Sequence, residues 1–231
     1  MSYQINLEEV DSDGAIREAA DAVSGDSRLD FLRKAGLAGG AVFGGGAVLT
    51  ALTAPAAFAA SSGRPPSKFG KGDIGILNYA LTLEYLEAAF YAQAVAGGAL
   101  TDSHLAALAG KIAGDEKAHV AFLKAALGSK AVPMPKFNFM GTTTNQAKFA
   151  ATAQILENTG VGAYFGQGFN IKSPAVLKDA ISILTVEARH AGAIGFYNDA
   201  TAKAVSPSGA FDKPLTASKV LAAVAGTGFI A

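Results

Sequence analysis

The chain has 231 residues, with 19 basic and 19 acidic side chains, three His, no Trp and no Cys. Without Cys there is no disulfide framework and no thiolate metal site, and lysines scattered without runs or interleaved aromatics argue against nucleic-acid binding. Hydrophobic residues make up 50% and charged ones only 16%, a balance that suits closely packed helices meeting through small side chains.

The zero net charge hides an asymmetry. Residues 1–59 carry eight acids and four bases, whereas residues 60–231 carry eleven acids and fifteen bases, so the second part stands at +4. Residues 1–26 are acidic and polar with no apolar period, and are expected to lack a fold of their own. Ser27-Arg28-Leu29-Asp30-Phe31-Leu32-Arg33-Lys34 then precedes a Gly/Ala-rich apolar stretch from Ala35 to Thr53 and the small residues around Ala57-Phe58-Ala59. That order resembles a twin-arginine export signal with an Ala-x-Ala cleavage site, and implies a periplasmic or other extracytoplasmic location. Where that pattern has two adjacent arginines this chain has Arg28-Leu29, so a general secretory signal and an uncleaved membrane anchor stay open. Ala35 to Ala60 is long enough to span a bilayer. Residues 1–59 thus read as a polar leader plus an export-signal-like segment, and residues 60–72, with Ser61, Ser62, Gly63, Pro65 and Pro66, as a linker.

From Asp73 to about Ala96 an uninterrupted apolar segment predicts a first long helix, ended by Gly97-Gly98. A second is expected from the Asp102/Ser103 cap to Leu127, closed by Gly128. Their short connection makes them antiparallel neighbours. Residues 129–143, with Pro133, Pro135 and Gly141 and no helical period, form a long crossover. A third helix is expected from Thr144, as its N-cap, to about Ile171, and a fourth from Ser173-Pro174 to about Lys203. Pro207 and Pro214 bracket a loop, and Thr216 to Val224 reads as a short closing helix. The expected fold is all-α: an antiparallel four-helix bundle over residues 73–204 with one long crossover, then a C-terminal loop and short helix over residues 205–231.

Two copies of Glu-x-x-His, Glu116/His119 and Glu187/His190, each follow a lone glutamate by about thirty residues, Glu84 and Glu157 respectively. With eight Glu and three His in the chain, chance would supply about 0.1 such motifs. Glu and His three apart lie on one face of a helix, so each such helix offers a carboxylate and an imidazole to one metal. The halves also align: Glu84 to Glu157 and Tyr91 to Tyr164 are both 73 residues apart, Glu116 to Glu187 and His119 to His190 both 71. At 1.5 Å per residue, Glu84 and Glu116 come out roughly 20 and 21 Å from the turn they share. Glu157 and Glu187 repeat that level in the second hairpin. The metal-ligand candidates are therefore Glu84, Glu116, His119, Glu157, Glu187 and His190, which surround two ions.

No Lys or Arg lies between Lys71 and Lys111, and Glu157 is the one charge between Lys148 and Lys172. Carboxylates on such apolar helices are expected to be buried, at a cost of several kcal/mol unless a cation compensates. Glu87, three after Glu84, is the rival ligand on the first helix; the tyrosine seven residues on in both halves favours Glu84. Tyr91 and Tyr164 read equally as hydrogen-bond donors to the site and as core aromatics. Asp115, Lys117 and Lys124 mark a solvated face of the second helix, Arg189 offers Glu187 a surface ion pair, and His104 reads as a surface residue. The run Gly160-x-Gly162-x-x-x-Gly166-x-Gly168 follows no strand and departs from the dinucleotide fingerprint. Close packing against Gly192 and Gly195 of the fourth helix is its expected role.

Through Glu84, Glu116-Lys117-Ala118-His119, Glu157 and Glu187-Ala188-Arg189-His190, residues 73 to 203 resemble the ferritin-like di-metal carboxylate superfamily. Ile76 to Tyr91, with the tail segments Phe211 to Leu215 and Val220 to Val224, is similar to its desiccation-related branch. The resemblance implies two Fe or two Mn ions, with Glu116 and Glu187 bridging and Glu84 and Glu157 terminal. It also implies small partners: oxygen, peroxide or metal ions. Iron-storing ferroxidases, manganese catalases and oxygen-activating oxidases share this fold, so fold alone does not select among them. Two expectations follow: a ferroxidase-like or catalase-like oxidoreductase in stress protection, or a non-enzymatic desiccation protein whose metals staple the bundle. Assembly into a homo-oligomer stays open, and a storage cage finds no support in the sequence.

Overall fold

A computed structural model describes residues 63–230; the leader and export-signal-like segment, residues 1–59, lie outside the described residues. Four long helices dominate: α1 (Gly72–Gly97), α2 (Ser103–Leu127), α3 (Gln146–Gly168) and α4 (Pro174–Asn198). A single turn, α5 (Ala202–Val205), and the closing helix α6 (Ala217–Thr227) follow. The chain is all-α, with α1 packed on α2 and α3 on α4 as antiparallel pairs. Among the described residues no helix is long and apolar enough to cross a membrane.

Side-chain caps set the helix starts. Asp102 accepts from Leu105 N at 2.8 Å, and Ser173, followed by Pro174 in the first turn, accepts from Val176 N. Gly98 ends α1 in the left-handed region at φ 66°, which glycine enters without a Cβ penalty. Four expected boundaries shift. Thr142–Thr144 is already wound into a tight turn, with Thr144 Oγ1 bonded to Gly141 O, so Asn145 caps α3 instead by accepting from Lys148 N at 2.9 Å. The same helix stops at Gly168 rather than Ile171. Helix α4 ends at Asn198, short of Lys203, because Asp199 is extended and its carboxylate accepts from Thr201 N. The closing helix instead runs past Val224 to a left-handed Gly228.

Helix α1 is the axis of the fold, buried without a break from Gly75 to Glu87. An amphipathic surface helix would expose one face; α1 is enclosed by its neighbours, by the crossover and by the C-terminal segment. Phe90 stacks on Phe149 at 5.1 Å and meets Phe139 edge-on at 5.4 Å. Fully burying such a ring contributes about 1.5–3 kcal/mol. The crossover is pinned to the C-terminus where Asn138 N donates to Phe229 O at 2.8 Å. At the other end Asp73 accepts from Lys172 N and Ser173 N, tying the start of α1 to the start of α4.

Two glycines of α3, Gly162 and Gly166, have a different purpose from the helix packing expected, whereas Gly160 faces Glu187 of α4 and Glu87 of α1. Leu215 N donates to Gly162 O at 2.9 Å as the extended C-terminal segment crosses α3, and a Cβ on Gly166 would lie 1.9 Å from Leu215 O. Gly195 of α4 likewise admits Ala204 O, which a Cβ there would meet at 2.5 Å. These glycines seat the C-terminal segments rather than bring α3 onto α4.

Candidate metal centre

The structure brings all six candidate residues together at mid-bundle: Glu84 from α1, Glu116 and His119 from α2, Glu157 from α3, and Glu187 and His190 from α4. The four glutamates are fully buried, His190 is buried and His119 slightly exposed. Their ligand atoms fall into two groups, Glu84, Glu116, His119 and Glu187 in one and Glu116, Glu157, Glu187 and His190 in the other. Within each group the atoms lie within 4.8 Å of one another. Glu116 and Glu187 belong to both, so the arrangement carries the approximate twofold symmetry of the sequence repeat.

His119 Nδ1 stands 3.2 Å from Glu84 Oε2, 3.3 Å from Glu116 Oε2 and 3.2 Å from Glu187 Oε1. His190 Nδ1 stands 3.0 Å from Glu116 Oε1 and 3.4 Å from Glu157 Oε2. Yet Glu116 Oε1, Glu157 Oε2, both oxygens of Glu187 and His190 Nδ1 are buried with no hydrogen-bond partner. These atoms are near enough to bond one another but are not aligned to do so. Lone pairs that converge on a shared space, rather than on a donor, fit a metal ion.

The remaining atoms of these side chains are held from behind. Tyr91 Oη donates to Glu157 Oε1 at 2.6 Å, and Tyr164 Oη donates to Glu84 Oε1. Both readings of the tyrosines hold: they are core aromatics, and each hydroxyl crosses between α1 and α3 to fix a ligand of the opposite half. His190 Nε2 meets Asp115 Oδ2 at 3.1 Å, and Lys111 pairs with the same carboxylate. Such a partner fixes which ring nitrogen points inward. Sequence reading placed Asp115 on a solvated face and missed this contact, which joins residues 75 apart. His104 and Arg189 are exposed, and among the described residues Arg189 makes no ion pair with Glu187.

Charge in this dry space is unbalanced. Burial first, then the nearby Glu116, pushes Glu84 up to about 8, although the His119 hydrogen bond opposes it. Burial also raises Glu116, but the close His119 and His190 imidazoles outweigh it and draw the carboxyl down to about 2. For the imidazoles burial works downward and loses: contacts with Glu116, Glu187 and Glu84 hold His119 up to about 12, and contacts with Glu116 and Glu157 hold His190 up to about 11. Protons on the histidines are thus what offsets the acids when no metal does so. Two divalent ions would replace them and match the four carboxylate charges.

Glu87 is also buried, facing α3, but its oxygens belong to neither ligand group. Burial, followed by the charges of Glu187, Glu157, Glu116 and Glu84, holds it well above the usual carboxylate range.

A family model described as a ferritin-like domain matches residues 72–199, more than half of the chain. The chain belongs to the ferritin-like family. No curated protein matches it. The matched span of this ferritin-like protein begins at the first residue of α1 and ends just after α4, so it takes in all four helices that carry the Glu/His cluster. Four carboxylates and two imidazoles form an oxygen and nitrogen donor set able to hold Mn, Fe or Zn.

Proposed function

We infer that this ferritin-like protein binds two iron or manganese ions through Glu84, Glu116, His119, Glu157, Glu187 and His190, and uses them in redox chemistry on oxygen, peroxide or ferrous iron as part of stress protection. The observation that carries the reading is the convergence of unpartnered buried oxygens and nitrogen from three helices, with Glu84 of the fourth beside them. Glu116 and Glu187, shared by both groups, would hold both ions, and Glu84 and Glu157 would hold one each. Bound ions would supply the electron transfer. The protein's part is to orient the terminal carboxylates through Tyr91 and Tyr164, to fix the His190 ring through Asp115, and to keep bulk water out of the bundle centre.

Elemental analysis of protein purified from its own host tests the metal, with about two ions per chain expected for this ligand set. Oxygen uptake on aerobic addition of ferrous ion, and peroxide decay after manganese loading, test the chemistry. Turnover no greater than that of Glu84→Ala in both assays would remove the redox claim. The likeness of Ile76 to Tyr91 to the desiccation-related branch supports a stress role, and the twin-arginine-like leading segment supports export as a folded, already metallated protein. Fractionation of full-length protein with the cytosol would refute export.

A second reading has its own support: each ligand group draws on three helices, so bound ions would staple the bundle whether or not they turn over. Chelation separates the two. A large loss of thermal stability with no redox activity under either assay favours the structural role.

A further inference from the structure

The 73-residue offset that aligns Glu84 with Glu157 and Tyr91 with Tyr164 also pairs Glu87 with Gly160. In the fold these two counterparts meet between α1 and α3. A side-chain carbon on Gly160 would lie 3.4 and 3.7 Å from the two Glu87 oxygens and 3.0 Å from Glu187 Oε2. One acid therefore occupies, from one half alone, the room that two side chains would need.

Nothing in that room answers the acid. Leu83, Leu86, Leu156, Thr159 and Val224 line the small cavity beside Glu87 and Gly160, and the Thr159 hydroxyl already donates to Ile155 O. Among the described residues Glu87 has neither a hydrogen bond nor an ion pair, and Glu187 Oε2, across the same space, is buried without a hydrogen-bond partner. An acid so placed costs several kcal/mol unless something pairs with it. An apolar side chain of similar volume would pack there without that cost. Two oxygens from different helices, both lacking donors and both facing one vacated position, call for a cation.

The geometry points to Glu87 as a seventh metal-binding side chain, which joins Glu187 Oε2 in holding one ion of the pair while Gly160 leaves its carboxylate room to move. This rests on the reading that the six-residue set binds metal. It makes the two halves of the centre unequal: the second half has Gly160 where the first has Glu87 and so offers no matching carboxylate.

Manganese titration of the full-length chain, with free Mn(II) counted by electron paramagnetic resonance, tests the assignment. Wild type is expected to take up two ions. Glu87→Gln should hold one as tightly as wild type and the other at least about tenfold more weakly. Gly160→Ala should weaken the same ion by taking up the space. The metal-free Glu87→Gln protein should melt no lower than metal-free wild type, since an unpartnered buried acid has been removed. Unchanged affinity for both ions in both variants would overturn the ligand role, and so would equal weakening of both ions or a lower melting temperature of the metal-free variant. Wild type that takes up no manganese would instead remove the metal reading itself, and this assignment with it.

Discussion

Tyr91 on α1 donates a 2.6 Å hydrogen bond to Glu157 Oε1 on α3, and both residues are fully buried. Tyr91→Phe would leave that carboxylate oxygen unpaired in a dry site. A loss of about 1–3 kcal/mol is expected in chemical denaturation of the metal-free protein. No change in the denaturation midpoint would mean that the hydroxyl does not support Glu157.

Asp115 should matter through His190 rather than through its own exposure. Replacing it by Asn removes the charged acceptor 3.1 Å from Nε2 and lets the ring turn. Metal affinity at the His190 group is expected to fall about 10–100-fold, read by competition with a chelator, while the backbone circular dichroism stays that of wild type. An affinity equal to that of wild type would show that Asp115 does not orient the ring.

Acidity should act on the metal-free fold in a defined direction. Glu84, raised from 4.5 to about 8, favours its acid form in the fold, so stability falls as pH climbs through that window. His119, raised from 6.5 to about 12, adds to the same trend: its contribution is complete below 6.5 and is lost as pH rises toward 12. Glu116, drawn from 4.5 down to about 2, opposes it only at the acid end, its contribution present above 4.5 and lost as pH falls toward 2. The melting temperature of metal-free protein is therefore expected to peak near about pH 5 and decline by pH 8. Metal displaces these protons, so the gap between loaded and metal-free melting temperatures should widen with pH. A metal-free melting temperature that rises across that range would contradict the charge balance of the centre.

Gly166→Ala should destabilise the protein by at least about 1–3 kcal/mol, because the added carbon would lie 1.9 Å from Leu215 O. Gly114→Ala is the control. That position lies inside α2 with no atom within 4 Å of an added carbon, and alanine there should stabilise the helix by about 0.5–1 kcal/mol. Thermal unfolding of the two variants should move in opposite directions.

The six clustered residues were legible because their signal is local: Glu and His three apart share a helix face, and equal heights in two antiparallel pairs put the glutamates level. The four long helices were legible for the same reason, through the caps at Asp102 and Ser173 and the glycines at Gly98 and Gly128. Asp115 was not, since its meaning depends on His190 arriving from α4. Neither was the role of Gly162 and Gly166, which is set by a segment that returns about fifty residues later along the chain. The end of α4 escaped because Asp199 stops the helix by bonding forward to Thr201, where no glycine or proline marks the stop. Glu87 lay between these cases: its spacing placed it near Glu84, but only the packing of α1 against α3 showed that it is enclosed.

Because each ligand group takes side chains from both hairpins, neither half of the polypeptide holds a complete group by itself. During synthesis the first hairpin would emerge with Glu84, Glu116 and His119 already in place and still be one carboxylate short of a complete group. A complete group therefore has to await emergence of Glu187 and closure of α4 over the first hairpin, so a filled centre would mark a finished bundle.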